Sequence, residues 1–571
     1  MLRINKLLNI NSPWLHVVIL AALATPYFIN LGVSSLWEGS EVFYAETPRE
    51  MIESGDWLSP QFNYEPRVNK PPLTYWVVVG SYKIFGINEF AARLPGAFAA
   101  FGVMLFSWGA ARIRYGPRAA LIAAAVAATT PRIFILERRL PLDILLLFFL
   151  TGTLFFLLRA LEKNCASSWR CTYAFAALGF MTKGPIAAII PAGALFIWML
   201  YSGRIRHLSA IRLPECIAIF LCITLPWYIL SYLSRGWEYI AQFFLVDNLS
   251  RYASETVGPV RGFFYYIPIW FSDFFPWSFI GLAALISLHK TVRLRLKESY
   301  FGLPFFWCVL IFLIFSLSKS KQEHYIAPIF PAAAVLVAGM FAGFSQRDKA
   351  VSSTAPSDGQ IGGFRHWRRI FGALAFLLFL MAFILPVILD ILLPGVSAAM
   401  RLGPSVVLIV GAVLTAGNAI RGNFNSAFAS LVFSLWIIFV SGSLIYVPAL
   451  EKFRPVRDFC TIIENQVRSG MPEEYAMEAG YFRTSLPSMT FYLRHRIFEE
   501  YDYEEMKLRF LSGRRVFCIL DGSDYDWFVK QNTQLFVLDR RERISIRFGQ
   551  LFGDGSTPVR ELILVSNLPP D

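Results

Sequence analysis

Trp37-Glu-Gly-Ser-Glu-Val-Phe-Tyr-Ala-Glu-Thr-Pro-Arg-Glu-Met51, then Ser54-Gly-Asp-Trp-Leu-Ser-Pro60 and Arg67-Val-Asn-Lys-Pro-Pro-Leu-Thr-Tyr-Trp76, set acidic, basic and aromatic residues side by side. Apolar runs flank them, at 14–31 before and 90–111 after. Runs of about twenty apolar residues read as membrane-spanning helices, so the quoted stretch is a polar loop at a membrane surface. Carboxylates there are placed to act on a hydroxyl acceptor, and Arg and Lys to hold a lipid phosphate. The combination points to chemistry on a lipid-linked substrate.

Working outward, composition agrees with a membrane protein. Of 571 residues, 56% are hydrophobic and 16% charged, against about 25% charged in a soluble domain. The formal net charge is +13. Much of that charge sits in short loops between apolar runs, which is the pattern of membrane topology and not of a nucleic-acid surface. Seven scattered cysteines form no CxxC and pair with no histidine, so no zinc site is read. Cys460 and Cys518 fall in one polar segment, where pairing and free buried thiols are both open. No cofactor is called, a divalent cation staying an open alternative.

Further apolar runs put spans at 117–135, 141–159, 168–182, 184–202, 214–232, 264–288, 300–317, 324–343, 370–393, 404–420 and 427–447, about thirteen in all. The first keeps Arg3 and Lys6 before it and shows no small-residue cleavage site, so it reads as uncleaved. Arg112, Arg114 and Arg118, then Arg159, Lys163 and Arg170, then Arg204, Arg206 and Arg212, mark alternate loops as cytoplasmic. The reading is a mainly α, polytopic membrane helical bundle over 1–450, with a large outer loop at 32–89. A small α/β domain at 451–571 follows on the outer, periplasmic side. Its strands are expected at 515–520, 534–538 and 561–565, and its helices at 455–468 and 503–511. The Ser-, Thr-, Pro- and Gly-rich segment 350–367 reads as a flexible cytoplasmic linker.

Candidate chemistry clusters on the outer side. Glu38, Glu41 and Glu46 lie in the first loop, beside Trp37 and Tyr44. The plain alternative is a loop helix showing carboxylates to water; in partly apolar surroundings one of them gains a raised pKa and serves as a general base. Asp143 ends Arg138-Arg-Leu-Pro-Leu-Asp143 at the mouth of a span, either salt-bridged to Arg138 or Arg139 or facing the first loop as a second functional carboxylate. Lys70 before Pro71-Pro72, and Lys183 in Thr182-Lys-Gly-Pro185, stand where helices begin or break. An ammonium beside freed backbone N–H groups makes a phosphate seat, although such breaks are also ordinary kinks. Phe315-Ser-Leu-Ser-Lys-Ser-Lys-Gln-Glu-His-Tyr325 adds Lys319, Lys321 and Tyr325, with His324 read as a surface histidine and not as a metal ligand.

The ordered set resembles a known family. Tyr-Ala-Glu-x-x-Arg-Glu-Met at 44–51, Asn-Lys-Pro-Pro-Leu at 69–73, Phe90-Ala-Ala-Arg-Leu-Pro95 and the Arg138, Lys183 and Pro226-Trp-Tyr228 motifs look like the GT-C-fold polyprenyl-phosphate-sugar glycosyltransferases. Within them the chain is most similar to the lipid A aminoarabinose transferases and the protein-mannosyltransferase-like relatives, over about 14–345. The resemblance implies transfer of a sugar from a polyprenyl-phosphate donor, with inversion, to lipid A, lipopolysaccharide, another glycan or a protein at the periplasmic face of the inner membrane. It assigns the catalytic carboxylate to Glu41, with Glu38 as alternative and Asp143 assisting. Tyr44, Lys70, Arg138, Lys183, Arg251, Lys319, Lys321 and Tyr325 become substrate-binding residues. The family's first-loop Asp aligns with Ser40 here, and its Arg before the loop tyrosine with Phe43. The rival class is a polytopic transporter or lipid flippase, which mid-span charges and inverted repeats would favour; the polar clusters instead sit at outer ends of spans.

Overall fold

Pro13 opens the first apolar helix, Pro13–Phe28, at the position where its missing N–H costs nothing. The computed structural model describes residues 12–67, 69–139, 141–205, 211–250, 259–287, 295–351, 358–393, 395–470, 477–544 and 559–570. Long helices follow at Glu89–Ala128, Pro141–Lys163, Ala166–Lys183, Ile186–Ser202, Leu213–Ala241, Ser299–Leu317, Ile329–Val351, Asp358–Leu392, Ala398–Ile420 and Phe424–Ser441. Among the described residues, seven helices are long and apolar enough to cross a membrane, with shorter apolar ones beside them. The helical membrane bundle expected from the sequence is what forms.

Several expected boundaries move, each for a local reason. The spans expected at 90–111 and 117–135 are two arms of Glu89–Ala128, bent at Gly116, whose φ of 84° lies where glycine alone is comfortable. The second arm stops at Ala128, and Pro131–Arg139 starts a separate short helix. The span expected at 264–288 is broken into Tyr266–Asp273 and Trp277–Ser287, with Pro276 between them unable to donate to a helical ladder. The span expected from 324 begins at Ile329, after a 3₁₀ turn at Glu323–Ile326. The linker expected at 350–367 is also corrected. Residues 352–357 lie outside the described ones, and from Asp358 the chain is already helical, its Trp367 buried against Phe341 and Phe371.

Packing relies on small residues that let helices approach. Gly109 faces the ring of Phe155, where a Cβ would come within 2.8 Å of the ring, and Gly102 and Gly152 take Phe148 and Phe175 in the same way. Pro141–Lys163 is thereby clamped between Glu89–Ala128 and Ala166–Lys183, which fixes Asp143 in its first turn.

The first loop is ordered. It folds into helix Ser40–Ser54, a hairpin of Gln61–Phe62 with Glu65–Pro66, and helix Leu73–Phe85. Arg49 grips Glu46 through two contacts of 2.8 and 2.7 Å and Glu53 at 2.5 Å, the i,i+3 and i,i+4 neighbours of a helix face.

From Val456 the chain builds a mixed five-stranded sheet in the order Phe498–Glu500, Glu478–Phe482, Val516–Asp521, Val559–Ser566, Phe536–Ile544. The first three strands are parallel and the last two join antiparallel. Alternation splits the strands between two cores. Phe517 and Ile519 face helix Val456–Gly470, while Val516, Cys518 and Leu520 face Met506, Phe510 and Phe528. Cys460 and Cys518 are thus buried on opposite faces as free thiols. The sheet's surroundings dock on the first loop. Tyr492 accepts the Leu36 N–H at 2.8 Å and donates to Glu89 at 3.1 Å, and Asn63 exchanges two hydrogen bonds with the Ile497 backbone at 2.9 and 2.8 Å. First loop and terminal sheet therefore share one end of the bundle.

Candidate functional site

Lys70, Asp143, Lys183, His324 and Tyr325 meet at the rim of one cavity of about 600 Å³. Its deeper wall is apolar, built from Leu146, Ile186, Ile189, Ile190, Ile314 and Phe315. A cationic rim over a greasy wall suits an amphiphile with an anionic head.

Backbone placement explains each rim group. Asp143 lies in the first turn of Pro141–Lys163, where the helix end favours negative charge, and Lys183 is the last residue of Ala166–Lys183, where positive charge is favoured. The two side chains form an ion pair across those helix ends. Gly184, with φ of 90°, turns the chain directly after Lys183 into the next helix. Lys70 reaches the rim from the proline-bounded entry to Leu73–Phe85, its ammonium donating to the Asn69 carbonyl at 2.7 Å. The Lys183 ammonium also stands 5.1 Å from the centre of the Tyr325 ring, a cation–π geometry. His324 Nε2 lies 3.6 Å from the other Asp143 oxygen. Burial lowers the His324 pKa to about 4, against the raising pull of Asp143.

Of the residues singled out from sequence, Lys70, Asp143, Lys183 and Tyr325 come together here. The others go elsewhere. Glu41 is buried in an ion pair with Arg93, at 2.6 and 3.2 Å, and also accepts the Trp37 N–H at 2.6 Å. Both of its oxygens are therefore committed to holding the loop. Glu38 binds the hydroxyl and, at 3.1 Å, the N–H of Ser488, and burial raises its carboxyl to about 7 while the Ser488 hydroxyl pulls it down. Arg138 is buried and donates to the Pro26 and Ile29 carbonyls at 2.7 and 2.6 Å and to Ser443 at 2.9 Å, which makes it a strut between helices. Tyr44 is buried against Tyr75, ring centres 5.4 Å apart. Lys321 is buried with its ammonium on the Arg261 and Ser318 carbonyls, and burial lowers its pKa. Lys319 is exposed and off the cavity wall. Arg251 lies outside the described residues.

Two residues escaped the sequence reading. Arg93, inside the Phe-x-x-Arg-Leu-Pro motif, anchors the first loop through Glu41 and the carbonyls of Leu31, Ser34 and Ser35 at 2.7, 2.7 and 2.9 Å. An arginine in the first turn of an apolar helix, four residues after an acidic Glu89, was the available signal. The expectation of a surface position for His324 is corrected: its side chain is 16% exposed and faces the cavity. Its place directly before Tyr325, at the mouth of the span expected from 324, was the usable sign. Among the described residues no group of three or more His, Cys, Asp or Glu is arranged to hold a metal ion.

Comparison with known proteins follows the same lines. Residues 69–230 match the family model described as dolichyl-phosphate-mannose-protein mannosyltransferase. An uncharacterized protein of Aquifex aeolicus is 30% identical over 309 residues, 54% of this chain and 68% of its own length. The undecaprenyl phosphate-alpha-4-amino-4-deoxy-L-arabinose arabinosyl transferase of Edwardsiella ictaluri is 30% identical over 331 residues, 57% of this chain and 59% of its own. The aligned region thus spans about three-fifths of that transferase. The crystal structure of ArnT from Cupriavidus metallidurans bound to undecaprenyl phosphate superposes with a TM-score of 0.76 at 21% identity, covering 98% of this chain and 99% of that one. At that identity the likeness is one of fold.

Proposed function

This chain belongs to the GT-C-fold family of membrane glycosyltransferases, not to the transporters, and on that premise we propose that it moves a sugar from a polyprenyl phosphate to an acceptor at the outer face of the bacterial inner membrane. One observation carries the reading: two lysines from separate helix ends converge on the rim of an apolar cavity. The prenyl chain lies along the Ile186 to Ile190 wall, and the phosphate sits between Lys70 and Lys183. Tyr325 packs against the ammonium side of the head group. As the sugar leaves, negative charge grows on the phosphate oxygen, and two fixed ammonium groups in a half-buried rim stabilise it without reorganising. Asp143 holds Lys183 in place, since an ion-paired lysine keeps one rotamer where a free one samples many.

In-line attack by the acceptor inverts the anomeric carbon in this scheme. Pentosyl and hexosyl phosphates are both candidate donors. Lipid A, another glycan and a protein are the acceptor classes, and the terminal sheet, sharing the outer end with the first loop, stands where an acceptor would approach. A binding experiment tests the donor site. Undecaprenyl phosphate is titrated against purified wild type, Lys70→Ala and Lys183→Ala, with Lys70→Arg and Lys183→Arg as charge-keeping partners. A charged hydrogen bond contributes about 1.5–3 kcal/mol, so each Ala variant loses roughly ten- to a hundredfold in affinity and each Arg variant less. Unchanged binding by both Ala variants rejects the phosphate seat.

A further inference from the structure

The pocket needs a proton acceptor if the attacking group is a hydroxyl, and the first loop does not supply one. Glu41 has both oxygens engaged by Arg93 and Trp37, Glu38 is taken by Ser488, and Ser40 carries only a hydroxyl. Asp143 is committed to Lys183. His324 remains. It lines the cavity with Asp143, Lys183 and Lys70, its Nε2 points at Asp143, and among the described residues Nδ1 has no hydrogen-bond partner. We propose that His324 takes the acceptor's proton, oriented by Asp143, and that the acceptor attacks through a hydroxyl; this rests on the pocket being the donor site.

The step balances without a co-reactant. The acceptor O–H bond breaks, its proton passes to His324 Nδ1, and the oxygen bonds the anomeric carbon. The bond from that carbon to the phosphate oxygen breaks, its electron pair leaves with polyprenyl phosphate, and Lys70 and Lys183 face the charge. The arrangement of carboxylate, imidazole and attacking hydroxyl repeats the logic of a hydrolase triad, in which the carboxylate fixes the tautomer that leaves the far nitrogen free. Nε2 lies 3.6 Å from Asp143, and such contacts tighten when substrate binds. The charged and titratable groups around the ring are Asp143, Lys183 and Lys70 across the rim, Glu323 and Tyr325 on its own turn, and Arg132 from Pro131–Arg139. Burial keeps the imidazole neutral near pH 7 against the pull of Asp143, as a base must be. An acceptor phosphate, already ionised there, needs no such group, so His324 points to a hydroxyl.

The experiment uses the full-length protein and synthetic undecaprenyl-phosphate pentose and hexose donors, with undecaprenyl phosphate as the binding probe. His324→Ala is expected to bind undecaprenyl phosphate within threefold of wild type while turnover falls about a hundredfold or more, the scale of general-base catalysis. Added imidazole is expected to restore turnover at least tenfold, in proportion to its unprotonated fraction. His324→Gln, which keeps polar contacts, stands in if the Ala variant does not fold, and gives the same loss. Turnover within threefold of wild type, or a loss that imidazole does not repair, overturns the assignment to His324. So does a product linked through a phosphate oxygen. Absence of undecaprenyl phosphate binding by the wild type instead rejects the donor site, and this inference falls with it.

Discussion

Replacing Glu41 separates two roles for the residue, base and anchor. The structure gives it three contacts to two partners: Arg93 at 2.6 and 3.2 Å and the Trp37 N–H at 2.6 Å. Arg93 keeps the carbonyls of Leu31, Ser34 and Ser35 but would lose its only ion-pair partner among the described residues. Both side chains are almost fully buried, at 1% and 3% exposure. Stranding one member of such a pair costs about 3–5 kcal/mol, the expected penalty for Glu41→Ala. Glu41→Gln keeps an acceptor oxygen and loses a charge-assisted bond instead, about 1.5–3 kcal/mol. Converting both residues, as in Glu41→Gln with Arg93→Met, removes the uncompensated guanidinium. The double variant is then more stable than the sum of the singles by at least about 1 kcal/mol. Thermal and denaturant unfolding of the detergent-purified protein, followed through tryptophan fluorescence, measures the cycle. Additive penalties together with a fully folded but inactive Glu41→Gln would refute the anchor and return Glu41 to the role of base.

Three further outcomes are expected. The Glu38 carboxyl, raised by burial to about 7 from 4.5, binds its proton more tightly in the folded than in the unfolded chain. Its contribution is therefore full below about pH 4.5 and lost as pH rises through 7, so Glu38→Gln flattens that part of the stability–pH profile relative to wild type. A profile identical in both proteins would contradict the burial of Glu38. Reporters placed in the first loop near Asn63 and after Leu538 are expected to mark the same side of the membrane, because these regions touch; opposite sides would contradict the docking. Cys460 and Cys518 are expected to resist thiol reagents until the chain is denatured and to show no disulfide on non-reducing gels, whereas a linked pair would break the two-core arrangement of the sheet.

What could be read in advance follows from which physical signals are local. Helix positions were legible because an apolar run of membrane length has few alternatives in a bilayer. The break at Gly116 was legible too, because Arg112, Arg114 and Arg118 interrupt the apolar run there; the break at Pro276 was not, since the 264–288 run is long and apolar enough to pass for one span despite Asp273. Three of the sheet's strands, Val516–Asp521, Phe536–Ile544 and Val559–Ser566, showed as apolar runs; Phe498–Glu500, an edge of three residues, gave no pattern to find. Lys70, Lys183 and Asp143 were legible because a charge beside a helix end at a membrane surface is costly unless it has work or a partner. The ion pair of Glu41 and the burial of His324 were not legible, for the converse reason. A glutamate in a polar loop and a histidine beside lysines look solvated, and only long-range contacts, 52 residues apart for Glu41 with Arg93 and through Asp143 for His324, show which is locked and which faces the cavity. In a site assembled from helix ends, the residue types announce the chemistry, but the division of labour among similar side chains is set by what each packs against. In the proposed reading that division puts the loop carboxylates on structural duty and leaves the rim of the cavity to carry the reaction.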